Sequence, residues 1–187
     1  MDSIYLPTEV DLALKEKFFF PERHLFGAVA TIQKSYPCVR TMRIYDINKE
    51  GCPVLLTHVA SNKWKEFADH PYVSINMVSE NKLVQMIVRG MLQLDTPNSA
   101  FDKAKRYWNM VRPDVKKIYD PAHTVGDLFC KANVLNIPQE IPDTFGIACV
   151  IPEFWELLLL DSEYTNSLRY QFHLANSKWQ KQRVHVG

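Results

Sequence analysis

What most restricts this chain is a series of short apolar runs, rich in β-branched side chains, that recur between residues 25 and 94 with polar turns between them. Residues 25–32 (LFGAVATI) make the first run, and Gln33-Lys34-Ser35 with Pro37 after it reads as a turn. Residues 38–47 alternate, with Val39, Thr41 and Arg43 on one face and Arg40, Met42 and Ile44 on the other, up to the turn Asn48-Lys49-Glu50-Gly51. Residues 53–59 (PVLLTHV) make a third run. Ser61 then suits a helix N-cap, and Trp64, Phe67 and Ala68 recur at helical spacing before Pro71. Residues 72–78 and 83–94 return to strand, and Gly90 suits a bulge or bend in the longer one. Five strands with only one short helix among them predict a closed or partly closed barrel, not a βαβ array.

Helical patterns flank these strands. Residues 7–20 set Val10, Leu12, Leu14 and Phe18 among charged residues, a short amphipathic helix running into Pro21. After Asp95-Thr96-Pro97, the residues Phe101, Ala104, Tyr107, Trp108 and Val111 share one helix face. Four prolines break residues 113–143 into short helical pieces and loop. Strand patterns resume at 145–151, 154–160, 168–174 and 179–186, with Ala175-Asn176-Ser177 as the last hairpin turn. The expected chain is mainly β (α+β) and forms one domain over residues 1–187. Its helix lies at about 7–20, its barrel strands at about 25–94, its helical insert at about 97–143 and its C-terminal strands at 145–186.

Composition narrows the function. The 22 Lys+Arg and 21 Asp+Glu leave a net charge of +1, without the broad cationic field of a nucleic-acid binder, so no nucleic-acid partner is expected. Cys38, Cys52, Cys130 and Cys149 form no CxxC pair. His24, His58, His70, His123, His173 and His185 form no HxxxH or HExxH pattern, so no metal site is expected. Asp2, Glu9 and Asp11 stand where a signal peptide needs a basic start, and Asp161 closes the leucine run 157–160. A cytoplasmic protein with reduced thiols and no membrane partner is the expectation.

Arg40 and Arg43 on one strand, followed by Thr57, Ser61, Asn62 and Lys63 at a strand-to-helix junction, are the ingredients of a phosphate site. A helix N-terminus offers N–H donors, hydroxyls add more, and the cations neutralise the anion. Ser61 also reads as a simple cap, and Lys63 as part of a solvated face. The same residues carry a resemblance. Arg40-Thr41-Met42-Arg43, Tyr45, Gly51, Thr57, Ser61-Asn62-Lys63, the run 71–74 (PYVS), Gln85, Gly90, Glu153-Phe154-Trp155 and Trp179 with Arg183-Val184 follow one another as in the pyridoxamine 5'-phosphate oxidase family. The chain resembles a divergent relative of that family, not the oxidase proper.

The resemblance implies an FMN-binding split β-barrel with peripheral helices, and a homodimer with FMN at the subunit interface. Arg40 and Lys63 would bind the FMN phosphate, with Thr57, Ser61 and Asn62 beside it; Asn62 stands where the family has arginine. The strand bearing Thr41, Met42, Arg43 and Tyr45 would run beside the flavin. Gln85, Trp155 and Arg169 would add contacts, although Trp155 also reads as an ordinary core tryptophan. Tyr45, Trp108 and Arg112 would face the substrate. Thr165 and Ser167 replace an arginine and a histidine of the family's signature, which implies an altered substrate. The activity implied is that of an FMN-dependent oxidoreductase on a small molecule; the alternative is a carrier or sensor of flavin or haem on the same barrel.

Overall fold

A computed structural model of the chain describes residues 6–81, 83–122, 136–163 and 165–186. Helix α1 (Thr8–Lys17) is followed by β1 (Leu25–Gln33), β2 (Tyr36–Ile47) and β3 (Pro53–His58). Helix α2 (Asn62–Asp69), β4 (Tyr72–Val78) and β5 (Val84–Asp95) come next. Helix α3 (Phe101–Met110), the single turn α4 (Pro113–Lys116) and a 3-10 turn (Lys117–Tyr119) precede β6 (Phe145–Leu159), β7 (Leu168–Ala175) and β8 (Lys178–Val184). Cys130, His123 and the middle of the expected helical insert lie outside the described residues.

The strands form one antiparallel sheet in the order β3-β2-β1-β4-β5-β6-β7-β8, and β3 also pairs with β6, which closes six strands into a barrel. Strand β6 makes this possible by changing partners. Phe145 to Cys149 pair with β3, whereas Phe154 to Leu159 pair with β7, and β5 runs along the other edge throughout. Sequence patterning reads two strands here, 145–151 and 154–160, because Pro152 and Glu153 interrupt the apolar run. They form one strand instead. Pro152 lacks an N–H, and it sits where β3 has left that edge and β7 has not yet joined it, so no ladder bond is lost. Pro37 lies inside β2 for the same reason: β3 pairs β2 only from Ile44 onward.

The bulge expected near Gly90 falls between Arg89 and Gly90, where Gly90 opposes Pro152 and Arg89 opposes Phe154. A Cβ on Gly90 would lie 2.0 Å from the Ile151 carbonyl oxygen, so only glycine lets the two backbones approach this closely. The hairpin β1–β2 turns through Lys34 and Ser35, and β7–β8 through Asn176 and Ser177. All four have positive φ, as two-residue hairpin turns require.

The barrel interior is filled by Val29, Ile44, Leu55, Phe67, Ile75, Met77, Met86, Val88, Trp155 and their neighbours. A second cluster lies outside the barrel wall, where Val54, Leu56, Ile147 and Cys149 meet Ala104, Tyr107 and Trp108 of α3. Strand β3 is therefore buried on both faces, which explains its unbroken apolar run. Three helix-face expectations differ from the structure. Leu12 is exposed in α1, where Ala13 is buried instead; Phe101 is exposed at the first turn of α3, before that helix reaches the wall; and Ala68 is exposed while Glu66 is buried in α2. No helix among the described residues is long and apolar enough to cross a membrane.

Gly90→Ala should lower stability by roughly 3 kcal/mol, a drop in Tm on the order of 10 °C, because neither backbone can retreat without breaking the β5–β6 ladder. Thermal unfolding followed by circular dichroism checks this; an unchanged Tm would mean the bulge tolerates a side chain.

Candidate functional site

Arg40 points from β2 toward the barrel end that α2 covers. Its Nη2 lies 2.6 Å from Glu66 Oε2, and Thr31 Oγ1 donates to the same oxygen at 2.6 Å. The Glu66 side chain is 7% exposed and that of Arg40 25%. Arg40 Nη1 is buried with no hydrogen-bond partner. Lys63, in the first turn of α2, makes no ion pair among the described residues. Half-burial and the nearby Arg40 hold its pKa below the ordinary lysine value, and Glu66 opposes them. Two cations and one carboxylate thus leave one net positive charge at the start of a helix, where an anion is favoured.

Ser61 forms the N-cap: its Oγ accepts from the Trp64 amide at 3.4 Å and shares a hydrogen bond of 3.2 Å with Thr57 Oγ1. Thr57 and Ser61 are buried and Asn62 is exposed. The position of α2 depends on Trp64, whose ring fills the space beside Gly146 of β6; a Cβ there would lie 2.6 Å from the ring. Sequence spacing groups Arg40, Thr57, Ser61 and Lys63, and they converge in the fold. It does not reveal Glu66 or Thr31. The available signal is that a half-buried arginine on an apolar strand needs a counter-charge, and Glu66 stands three residues after Lys63 on the same helix.

Thr41 and Arg43 lie on the outer face of β2. The Arg43 guanidinium rests 4.4 Å from the centre of the Tyr45 ring, and its Nε is buried without a partner. Burial raises the Tyr45 phenol pKa, and Arg43 partly offsets it. Met42 is buried in the barrel core.

A second polar group lies farther round the same outer face. Val78, Gln85, Leu158, Arg169 and Val184 are successive cross-strand neighbours. Arg169 Nη2 lies 3.0 Å from both carboxylate oxygens of the buried Glu156, which also accepts from Gln171 Nε2 at 2.7 Å. The remaining expected site residues lie elsewhere. Trp155 is wholly buried in the barrel core, with its Nε1 unpaired. Trp108 packs edge-to-face on Tyr119 and Phe145 beneath α3. Arg112 is exposed and forks onto Asp114 at 3.0 and 2.6 Å.

Three of the hollows that indent the surface are lined by residues other than Arg40, Ser61 and Lys63. One of 460 Å³ lies between α1 and the β2–β3 turn, one of 550 Å³ crosses β1, β4 and β5, and one of 440 Å³ lies at the end of the β7–β8 hairpin. Among the described residues, no cluster of histidine, cysteine and acidic side chains could hold a metal ion.

A six-stranded barrel that splits along one strand, with a cationic helix N-terminus at its end, is the FMN-binding split barrel. Solved structures share it at low identity. The pyridoxamine 5'-phosphate oxidase-related, FMN-binding protein from Nostoc punctiforme superposes with a TM-score of 0.79 at 17% identity, covering 97% of this chain and 99% of that one. PhzG from Burkholderia lata, solved with tetrahydrophenazine-1-carboxylic acid, gives 0.74 at 13% identity, covering 95% and 90%. A heme-binding protein from Mycobacterium smegmatis gives 0.50 at 15% identity, covering 84% of this chain and 57% of that one. These likenesses show that the chain shares the fold of the pyridoxamine 5'-phosphate oxidase-related proteins, at an identity as low as a divergent relative would have. No family model matches the sequence, and neither does any curated protein.

Glu66 competes with any anion that Arg40 would bind, so its two neutral variants should separate. Glu66→Gln keeps an acceptor for Thr31 and raises the local charge by one; it should tighten phosphate-ester binding several-fold. Glu66→Ala strands both partners and should cost on the order of 2 to 3 kcal/mol, less than a fully buried pair because Arg40 reaches solvent. Ligand titration and thermal melts of both variants check this.

Proposed function

We propose that the chain binds FMN as a homodimer, with the cofactor at the subunit interface, and acts as an FMN-dependent oxidoreductase on a small molecule. The observation that carries this reading is the pair of half-buried cations at the α2 N-terminus. Among the described residues, Arg40 Nη1 has no hydrogen-bond partner and Lys63 makes no ion pair, beside hydroxyls that already form the helix cap. Groups of this kind fit a phosphate monoester, while Arg43 and Tyr45 stack on each other on the outer face of the same strand. FMN bound there would supply electron and hydride transfer, while the protein's part is to hold and orient it.

One feature supports the dimer. Phe26, Ile32, Val39, Tyr72, Val78 and Met91 are exposed on the outer sheet face, the kind of apolar surface that a second copy can cover. Arg169 on β7 and Gln85 on β5 stand on strands other than β2, and in the proposed dimer they would serve the cofactor held by Arg40 and Lys63 of the partner chain. Trp155 and Trp108 are core residues in this reading, and Arg112 stays with Asp114. The buried Cys52 and Cys149 are unjoined thiols, which suits a reducing compartment such as the cytoplasm.

The test is titration of purified protein with FMN, followed by quenching of flavin fluorescence, and with riboflavin as the ligand that lacks the phosphate. The expected result is one FMN per chain in a particle of twice the chain mass. Arg40→Ala should weaken FMN by about tenfold or more with little effect on riboflavin. Protein that stays colourless with excess FMN would overturn the reading. Reduction of the bound flavin by NADPH and reoxidation by an acceptor would distinguish an enzyme from a carrier.

Lys63 adds a pH signature. Its pKa is lowered in the free protein, and a bound phosphate favours its charged form, so binding takes up a proton as pH approaches that lowered value. The preference for FMN over riboflavin should therefore fall as pH rises toward 10.5, and Lys63→Arg should flatten the fall. A preference that does not change with pH in the native chain would remove Lys63 from the site.

A further inference from the structure

The 440 Å³ hollow at the end of the β7–β8 hairpin is lined by Thr165, Ser167, Arg183, Val184, His185 and Val186. Ligand pockets start at about 300 Å³, so the hollow admits a small molecule or one end of a larger one. None of the six lining residues is acidic, and their polar atoms are mostly donors. Arg183 makes no ion pair among the described residues. Ser167 Oγ accepts from the Asp161 amide at 3.3 Å, which leaves its own proton free to donate. Thr165 Oγ1 is turned instead to Asp161 Oδ2 at 3.3 Å, and the Asn166 amide donates to the same oxygen at 2.7 Å. Asp161 Oδ2 is thus occupied within its own loop, while its Oδ1 is buried without a hydrogen-bond partner among the described residues; Arg183 and His185 line the hollow beside that loop.

We propose that this hollow binds the phosphate or carboxylate group of a small ligand, held by the Arg183 guanidinium, the His185 ring and the Ser167 hydroxyl, with Val184 and Val186 against its apolar part. A guanidinium fork beside a hydroxyl donor matches the oxygen pattern of either group. Val184 lies directly opposite Arg169 across the hairpin, so the hollow adjoins the residue assigned to the partner's flavin. Binding of the anion stands on the hollow alone. Its assignment as the substrate's anionic end rests on the FMN reading, and makes the substrate a small anionic molecule.

The test is a titration of the isotope-labelled full chain, FMN-free and FMN-loaded, with inorganic phosphate and with acetate, and with chloride at equal ionic strength as control. Amide and side-chain NMR shifts are followed. Saturable shifts at Ser167, Arg183 and His185 are expected, with the tighter of the two probes identifying the ligand group. Arg183→Gln should weaken that binding by about tenfold, and Ser167→Ala by less. Both sites change exposed or half-exposed side chains, so thermal melts should match the native chain. Shifts that chloride reproduces, or that survive Arg183→Gln, overturn the proposal. Shifts at Arg40 and Lys63 report the other site, and Arg40→Ala removes them without touching the hollow. If phosphate or acetate saturates the hollow while FMN fails to bind, the anion site stands and the flavin reading falls. If FMN binds and the hollow stays silent, the reverse holds.

Discussion

Strand β6 serves two partner strands in turn along one edge, and the rest of the structure depends on how it does so. Its first residues hydrogen-bond to β3 and close the barrel, and its last residues hydrogen-bond to β7 and carry the terminal hairpin away from it. A continuous strand can do this only if its unshared edge changes hands without leaving buried backbone groups unpaired. Pro152 meets that condition by having no N–H to lose at the handover. The extra residue at the bulge sets Phe154, Glu156 and Leu158 on the outer face and keeps Trp155 and Leu157 in the core. Gly90 lets β5 follow the bend. The positions of Trp155 inside and Glu156 outside, and so of Arg169, all follow from that one irregularity.

The strands and hairpin turns were legible because period-two alternation and polar turn clusters are local signals. Lys34-Ser35 and Asn176-Ser177 lie within the predicted turns although neither contains glycine. The join between 145–151 and 154–160 was not legible. A proline inside an apolar run argues against a strand unless it is known which edge is free there, and that depends on β3 and β7, both distant in sequence. Helix faces were read correctly where a helix lies flat on the barrel, as at Ala104, Tyr107 and Val111, and misread at Phe101 and Ala68, where it does not.

The candidate site shows the same division. Arg40, Thr57, Ser61 and Lys63 are grouped by sequence because a strand-to-helix junction brings them together locally. The requirement that a charge on an apolar strand have a partner was also visible, but the partner in the fold is the chain's own Glu66. Half of Arg40 is thereby committed to the protein, and its Nη1 is left without a hydrogen-bond partner among the described residues. Thr165 and Ser167, which in sequence mark only the loss of a signature, gain a setting from the hairpin, since Arg183 and His185 of the neighbouring strand stand beside them.

The way the barrel closes also bears on how such a chain can diverge. The β3–β6 ladder is complete at Cys149, before the chain reaches the bulge, the Asp161 loop or the terminal hairpin. The terminal hairpin adds to the sheet but does not seal it. Of the described residues 165–186 only Phe172 is buried in the barrel core, so the exposed positions around it can change with little effect on how the barrel closes.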